Sequence, residues 1–503
     1  MRTKNAVLNI FFTLLLQLIT VVSGLILPRL IIITFGSTVN GLVSSITQFL
    51  SYITLLEAGI GGVITASLYK PLAENYFDSI FSIVLEAKKF YRKLAMIFVI
   101  YLLTVLIIYP FVVKNEFDWI YITSLICILS IGTFLQYYFS LAYINLISAD
   151  QKLWIINIVN AFVVLLNLIV TYLCIKLGAS LHITKICSCL VFAIKPIFYS
   201  LFVRKHYNLT LNKSNSRNII KQKWNGLAHH LAYFVHLNTD VVVITLFLGV
   251  KEVSIYTVYY AVVSGIRSII TAISNGSAAG IGNLIAIGDK NNLNRVFNTF
   301  ECIQAYLTTV LYTMTAVLII PFMQIYTKEF KDVNYIVPIF AYILIISESV
   351  YCIQNIYSTV TLNAGHYKET QYGAIAEAVV NIIVSVILVG TYGIVGVAIG
   401  TLLAMVVRSV SDVIHLKNDI LHRPFYMYVK LLFVCASAAI ITIKVLHIFF
   451  DFGQITSWSL WIMNAVISLP ITIIIVGIIF ILFYKDIMLG FIRKLFSFVK
   501  LSK

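Results

Sequence analysis

Long apolar runs alternate with short polar breaks along the whole chain. Taking the breaks as boundaries predicts fourteen helical spans, at 6–34, 39–68, 92–113, 118–143, 152–176, 182–203, 225–248, 253–287, 298–326, 335–362, 370–390, 393–415, 426–449 and 458–483. Each is close to or above the roughly 20 apolar residues with which an α-helix crosses a hydrocarbon core. The first run follows Arg2 and Lys4, is too long for a signal-peptide core and lacks a small-x-small cleavage site, so it reads as a retained span. Two further stretches, Phe81 to Lys93 and Tyr484 to Lys503, interleave apolar and basic residues in the manner of helices lying on anionic lipid.

The pattern repeats. Gly36-Ser-Thr-Val-Asn-Gly-Leu, a long helix, Gly59-Ile-Gly-Gly and Leu72-Ala-Glu-Asn-Tyr-Phe return roughly 215 residues later. Their counterparts are Gly249-Val-Lys-Glu-Val-Ser-Ile-Tyr, a long helix, Asn275-Gly-Ser-Ala-Ala-Gly and Ile287-Gly-Asp-Lys-Asn-Asn-Leu. Halves that start on the same side of a membrane are related by an axis along its normal. The fold class expected is therefore all-α integral membrane. It comprises a six-helix lobe over 1–203, a basic cytoplasmic linker over 204–224 and a second six-helix lobe over 225–415. Two additional spans follow within 426–483, and then a cytoplasmic amphipathic tail over 484–503.

Composition agrees with a chain solvated by lipid: 503 residues, 60% hydrophobic and 11% charged, less than half the charge of an ordinary soluble domain. The net charge of +16 would suggest nucleic acid in a soluble protein. Here the Lys and Arg residues gather in the breaks. With the N-terminus inside, 26 of the 36 fall in inner breaks, Arg408 counted among them, and 6 in outer ones. Orientation follows that asymmetry, so both termini are predicted to be cytoplasmic, with no nucleic-acid partner. The seven cysteines lie in or beside apolar runs without a CxxC pair and read as small hydrophobes, with no disulfide framework, metal site or cofactor. The glycines at 59, 61, 62, 276, 280 and 282 follow no strand and precede no Lys-Ser/Thr, which excludes a nucleotide loop.

In order, Pro28-Arg29, Phe35-Gly36, Asn40-Gly41-Leu42, Leu56-Glu57-Ala58-Gly59-Ile60-Gly61, Leu68-Tyr69-Lys70-Pro71-Leu72-Ala73-Glu74, Leu248-Gly249 and Tyr256 resemble the Wzx-type polysaccharide flippases of the MATE/MOP transporter superfamily. The resemblance covers essentially the whole chain. It implies two six-helix bundles around a central cavity, in a bacterial cytoplasmic membrane. It also implies that a polyprenyl-diphosphate-linked oligosaccharide passes to the outer leaflet by alternating access, for surface polysaccharide synthesis.

Charged groups inside apolar spans are costly unless they face a cavity or a partner, so each is a site hypothesis. Arg267 sits mid-span on a polar stripe with Tyr256, Tyr260, Ser264, Thr271 and Ser274. Its guanidinium suits a pyrophosphate, or alternatively pairs with a carboxylate such as Glu57 or Asp240. Arg29 faces the same path or snorkels to the outer interface. His229, Tyr233, His236 and Asp240 share one helix face, fit either for relaying a coupling H+ or Na+ or for helix-to-helix hydrogen bonds. Glu57, Glu348 and Glu377 divide between cation coupling and structural hydrogen bonding. Lys444, with His447 and Asp451, reads as snorkelling at an outer helix end. Substrate-binding candidates are thus Arg267, Arg29, Tyr256 and Tyr260, and cation-coupling candidates Asp240, His236, Glu57, Glu348 and Glu377. The expected partners are the lipid-linked oligosaccharide, membrane lipids and the coupling ion.

Two function classes compete with the flippase. An exporter of small cationic compounds would favour an acidic path, against which two arginines argue. A membrane-embedded polymerase or ligase needs catalytic groups on a long outer loop, and every outer break is short.

Overall fold

A computed structural model describes residues 2–57, 59–113, 116–207 and 227–501. They form helices and no strand: α1 (Arg2–Phe35), α2 (Ser37–Ser51), α3 (Thr54–Glu57), α4 (Ile60–Glu74), α5 (Phe77–Val112), α6 (Trp119–Leu135), α7 (Leu141–Ala149), α8 (Leu153–Lys176), α9 (Leu181–Phe192), α10 (Ile194–His206), α11 (Leu227–Phe247), α12 (Val250–Ile287), α13 (Lys290–Tyr326), α14 (Pro338–Asn363), α15 (Tyr367–Tyr392), α16 (Ile394–His415), α17 (Tyr426–Phe449) and α18 (Trp458–Leu501). Thirteen stretches among the described residues are long and apolar enough to cross a bilayer. The fourteenth predicted span, 225–248, corresponds to α11, of which the apolar stretch Leu237–Phe247 is short by itself.

Two boundaries differ from expectation. The run 39–68 is not one helix: it breaks after α2 and again at Gly59, whose φ of 75° lies in the left-handed region open to glycine. The stretch Phe81 to Lys93 is no separate surface helix but the opening of the 36-residue α5. At the expected start of the tail, Tyr484 leaves helical geometry (φ −135°, ψ 43°) inside α18.

The repeat is written into the backbone. Residues with positive φ stand before α2 and α12 (Gly36, 91°; Gly249, 93°), before α5 and α13 (Asn75, 55°; Gly288, 76°), before α8 and α15 (Gln151, 56°; Gly365, 79°), and after α8 and α15 (Gly178, 73°; Gly393, 58°). Each pair is roughly 214 residues apart, which is what a duplicated helix order leaves behind.

The chain divides into two compact units, Met1–Ala261 and Val262–Lys503. The division falls inside α12, downstream of the basic stretch expected to link the lobes, most of which lies outside the described residues. Polar stitching runs through the first unit across α2, α11 and the start of α12. Asn40 donates to Ser254 Oγ at 2.8 Å, Ser45 bonds Thr245 at 2.8 Å, and Gln48 bonds Asn238, tying α2 to α11 and to the start of α12. Gly41 permits the closest approach, since a Cβ there would stand 1.7 Å from the Val250 carbonyl oxygen.

The first unit's core runs through Leu42, Ile46, Phe98, Ile122, Leu146, Val163 and Val203. In the second, α13 is enclosed by α14, α17 and α18 around Phe297, Tyr357, Leu431, Val434 and Phe480. Large apolar side chains such as Ile107, Ile120, Leu190, Ile387, Phe433, Ile448 and Leu482 point outward, the reverse of a water-soluble surface and the arrangement a hydrocarbon solvent requires.

Candidate functional site

The predicted stripe on α12 is divided by its partners. Tyr256 donates to Asp240 Oδ2 at 2.9 Å and stacks on Tyr260, with centroids 5.6 Å apart and planes 18° from parallel. Asp240 is buried on α11, so the two substrate-binding candidates and one coupling candidate of the first unit form a single cluster. His236, with His229 and Tyr233, lies outside the residues whose side chains are described.

Glu57 ends α3 and takes hydrogen bonds from Tyr91 Oη (3.4 Å) and Tyr137 Oη (3.3 Å), while Asn145 donates to Tyr91 at 2.8 Å. Gly61 makes room for this carboxylate: a Cβ there would come within 3.1 Å of Glu57 Oε1. Glu57 also lines a cavity of about 610 Å³ with Ser51, Thr54, Gly59, Phe234 and Asn238. Arg29 is half-buried on α1, one residue after Pro28.

In the second unit Arg267 (α12) meets Glu348 (α14), neither Glu57 nor Asp240. Nη1 donates to both carboxylate oxygens, at 3.0 and 3.1 Å, and the guanidinium lies 5.4 Å above the Tyr351 ring. The side chains are 13% and 2% exposed, so one substrate-binding and one coupling candidate neutralise each other away from water. Two residues assigned separately by sequence are one ion pair.

Glu377 belongs to a larger network that sequence reading did not assemble. Arg408, counted above as a loop charge, is buried within α16, with Nη1 3.8 Å from Glu377 Oε2 and Nε 3.1 Å from Asp412 Oδ2. Gln354 donates to the same Asp412 oxygen at 2.5 Å, and below Glu377 on α15 Asn381 donates to Thr401 at 3.1 Å. The i,i+4 spacing of Arg408 and Asp412 was the available signal. A third pair, Arg423 with Glu301 and Tyr357, joins the α16–α17 turn to α13 and α14. These arginine–carboxylate pairs all lie in the second unit. They hold helices together, and a chain able to exchange partners at Arg267 could instead take a phosphate there.

The helix order, the repeat and the buried charge define a multi-pass membrane protein with the fold of the MOP transporters. Lipid II flippase MurJ, in an inward closed conformation, superposes with a TM-score of 0.74 at 14% identity, over 96% of this chain and 100% of that one. An inward-facing multidrug resistance MATE family transporter of the MOP superfamily gives 0.57 at 12% identity, over 79% and 92%. The MATE multidrug transporter DinF-BH gives 0.59 at 16% identity, over 84% and 96%. At these identities the likeness is one of fold. No family model and no curated protein matches the chain.

Proposed function

We propose that this protein is a flippase that moves a polyprenyl-diphosphate-linked oligosaccharide from the cytoplasmic to the outer leaflet, by alternating access, for surface polysaccharide synthesis. The observation behind the reading is the extent of the fold likeness. The lipid flippase matches this chain over 96% of its length, whereas the two MATE structures leave about a fifth of it unmatched. Arg267 and Arg29 are proposed to meet the pyrophosphate, Tyr256 and Tyr260 the sugar, and Asp240, His236, Glu57, Glu348 and Glu377 to serve ion coupling. The topology that goes with this has both termini and residues 204–224 in the cytoplasm, with lobes over 1–203 and 225–415. Deleting the protein in its host should leave lipid-linked repeat units on the cytoplasmic leaflet and remove a surface polysaccharide. A deletion strain with unchanged surface polysaccharide and no such accumulation would refute it.

One observation favours a second reading, a MATE-like exporter of cationic compounds. Glu57 lines a cavity with Phe234 and has tyrosines, not a cation, as its recorded partners. Under that reading the deletion strain accumulates organic cations and keeps its polysaccharide.

A further inference from the structure

Lys195 stands in the span Leu181–His206, at the start of α10, and sequence reading gave it no role. It borders a cavity of about 510 Å³ inside the first unit, lined by α1, α6, α8, α10 and a π-helical turn, Gln136–Ser140, that joins α6 to α7. No carboxylate lines this cavity. The recorded contact of the Lys195 ammonium is the Phe192 ring, 5.0 Å away, and no ion pair to it is found among the described residues.

Among apolar residues such as Leu16, Leu129 and Val164, the wall of the cavity carries a group of hydrogen-bond donors. Ser140 and Tyr199 are 2% and 1% exposed, and the hydroxyl oxygen of each is buried without a hydrogen-bond partner among the described residues. Gln136 and Asn160 add amide groups. Buried hydroxyls are nearly always satisfied, so two orphans around one cavity mark a missing acceptor. A π-helical turn widens the helix and re-aims its side chains, and such turns concentrate at functional sites. Here it brings Gln136 and Ser140 to the cavity. A cation in a membrane span that lacks a carboxylate needs its counter-charge from elsewhere.

We propose that the first unit binds one anionic group in this cavity, a free inorganic anion or the phosphate of a lipid headgroup, with Lys195 as counter-charge and Ser140, Tyr199 and Asn160 as donors. Pure water would also fill a polar cavity, but it leaves the charge uncompensated.

The full-length protein in phosphatidylcholine nanodiscs is tested with radiochloride. A separate preparation in discs containing phosphatidylglycerol is read by native mass spectrometry for one retained lipid. Saturable chloride binding assigns a free anion, and a retained lipid without chloride binding assigns the headgroup. Hydrogen bonds to a charged group are the strong ones, so Lys195→Met should weaken whichever ligand binds by about tenfold or more. Lys195→Arg should retain binding, and Ser140→Ala and Tyr199→Phe should each weaken it several-fold. Asn160→Asp supplies an internal counter-charge and should abolish binding while raising the melting temperature. If Lys195→Met fails to assemble, Ser140→Ala and Tyr199→Phe carry the same test. Absence of both ligands in the wild type, or unchanged binding in Lys195→Met or in both hydroxyl variants, overturns the assignment.

Discussion

Removing Arg267 separates the two roles its surroundings allow. Glu348 is 2% exposed and receives both of its recorded hydrogen bonds from the Arg267 Nη1. Deleting one partner of such a buried pair costs about 3–5 kcal/mol, because the other is left uncompensated. Contact with Tyr351 adds about 0.5–1 kcal/mol of cation–π energy. A loss of that size changes the folded-to-unfolded ratio by roughly two and a half to four orders of magnitude. Arg267→Met should therefore lower the melting temperature in detergent and the amount of membrane-inserted protein. Replacing both members of a buried pair by apolar residues is often neutral, so Arg267→Met with Glu348→Met should restore both quantities. Transport then decides function. Surface-polysaccharide output per inserted copy should stay below about a tenth of wild type in the double variant if the arginine meets a phosphate, and Arg267→Lys, lacking the planar fork, should lose part of it. Normal output per copy in the stable double variant would remove Arg267 from the substrate path. A single Arg267→Met variant as stable as wild type would refute the energetic argument itself.

Gly41→Ala should cost about 1–3 kcal/mol in thermal unfolding, because its Cβ would collide with Val250 backbone, which cannot rotate away as a side chain could. Arg423→Ala should reduce folded protein by leaving the charge of Glu301, which is 1% exposed, uncompensated, and Glu301→Gln in the same chain should recover part of it, read by fluorescence-detected size exclusion. Asp240→Asn keeps an acceptor for Tyr256 and should insert normally; wild-type transport under an imposed pH gradient would then assign Asp240 to packing alone. Cysteines placed at Ser214 or Ser502 in a cysteine-free background should resist an impermeant thiol reagent in intact cells, and labelling from outside would reverse the proposed orientation.

Hydrophobic period and glycine position made the fold legible: every predicted span falls on helical chain, though 39–68 and 182–203 are each broken into separate helices, and Gly36 and Gly249 mark the same turn in each repeat. Charge partners were not legible, for a physical reason. An arginine on one helix and its carboxylate on another are separated by 81 residues for Arg267 and Glu348 and by 122 for Arg423 and Glu301, and no periodicity along one helix reports on packing between two. Arg408 illustrates a related error. Near the end of an apolar run it counts as a loop charge under the orientation rule, yet two carboxylates allow it to be buried. Gly59 was visible as a small residue but its left-handed backbone was not, so one long span was expected where the chain breaks.

The two halves share a scaffold but not its charges, and this asymmetry constrains how they can work. Stepping roughly 214 residues back from the second unit's buried carboxylates Glu301, Glu348, Glu377 and Asp412 lands on Ala87, Phe134, Val163 and Phe198, none of them acidic. Arg267, Arg408 and Arg423 therefore have counter-charges supplied by their own unit, and each such pair ties neighbouring helices together. The first unit kept the turns, since Gly36, Asn75, Gln151 and Gly178 match Gly249, Gly288, Gly365 and Gly393, while lacking the acids at those positions. Its membrane-embedded Lys195 faces hydroxyls and amides instead of a carboxylate. An anion entering the second unit competes with a carboxylate for each of these arginines, whereas one entering the Lys195 cavity meets no carboxylate in its lining. The repeated fold thus carries buried arginine–carboxylate pairs in its second half, where the first is tied by neutral hydrogen bonds such as Asn40 to Ser254 and Ser45 to Thr245.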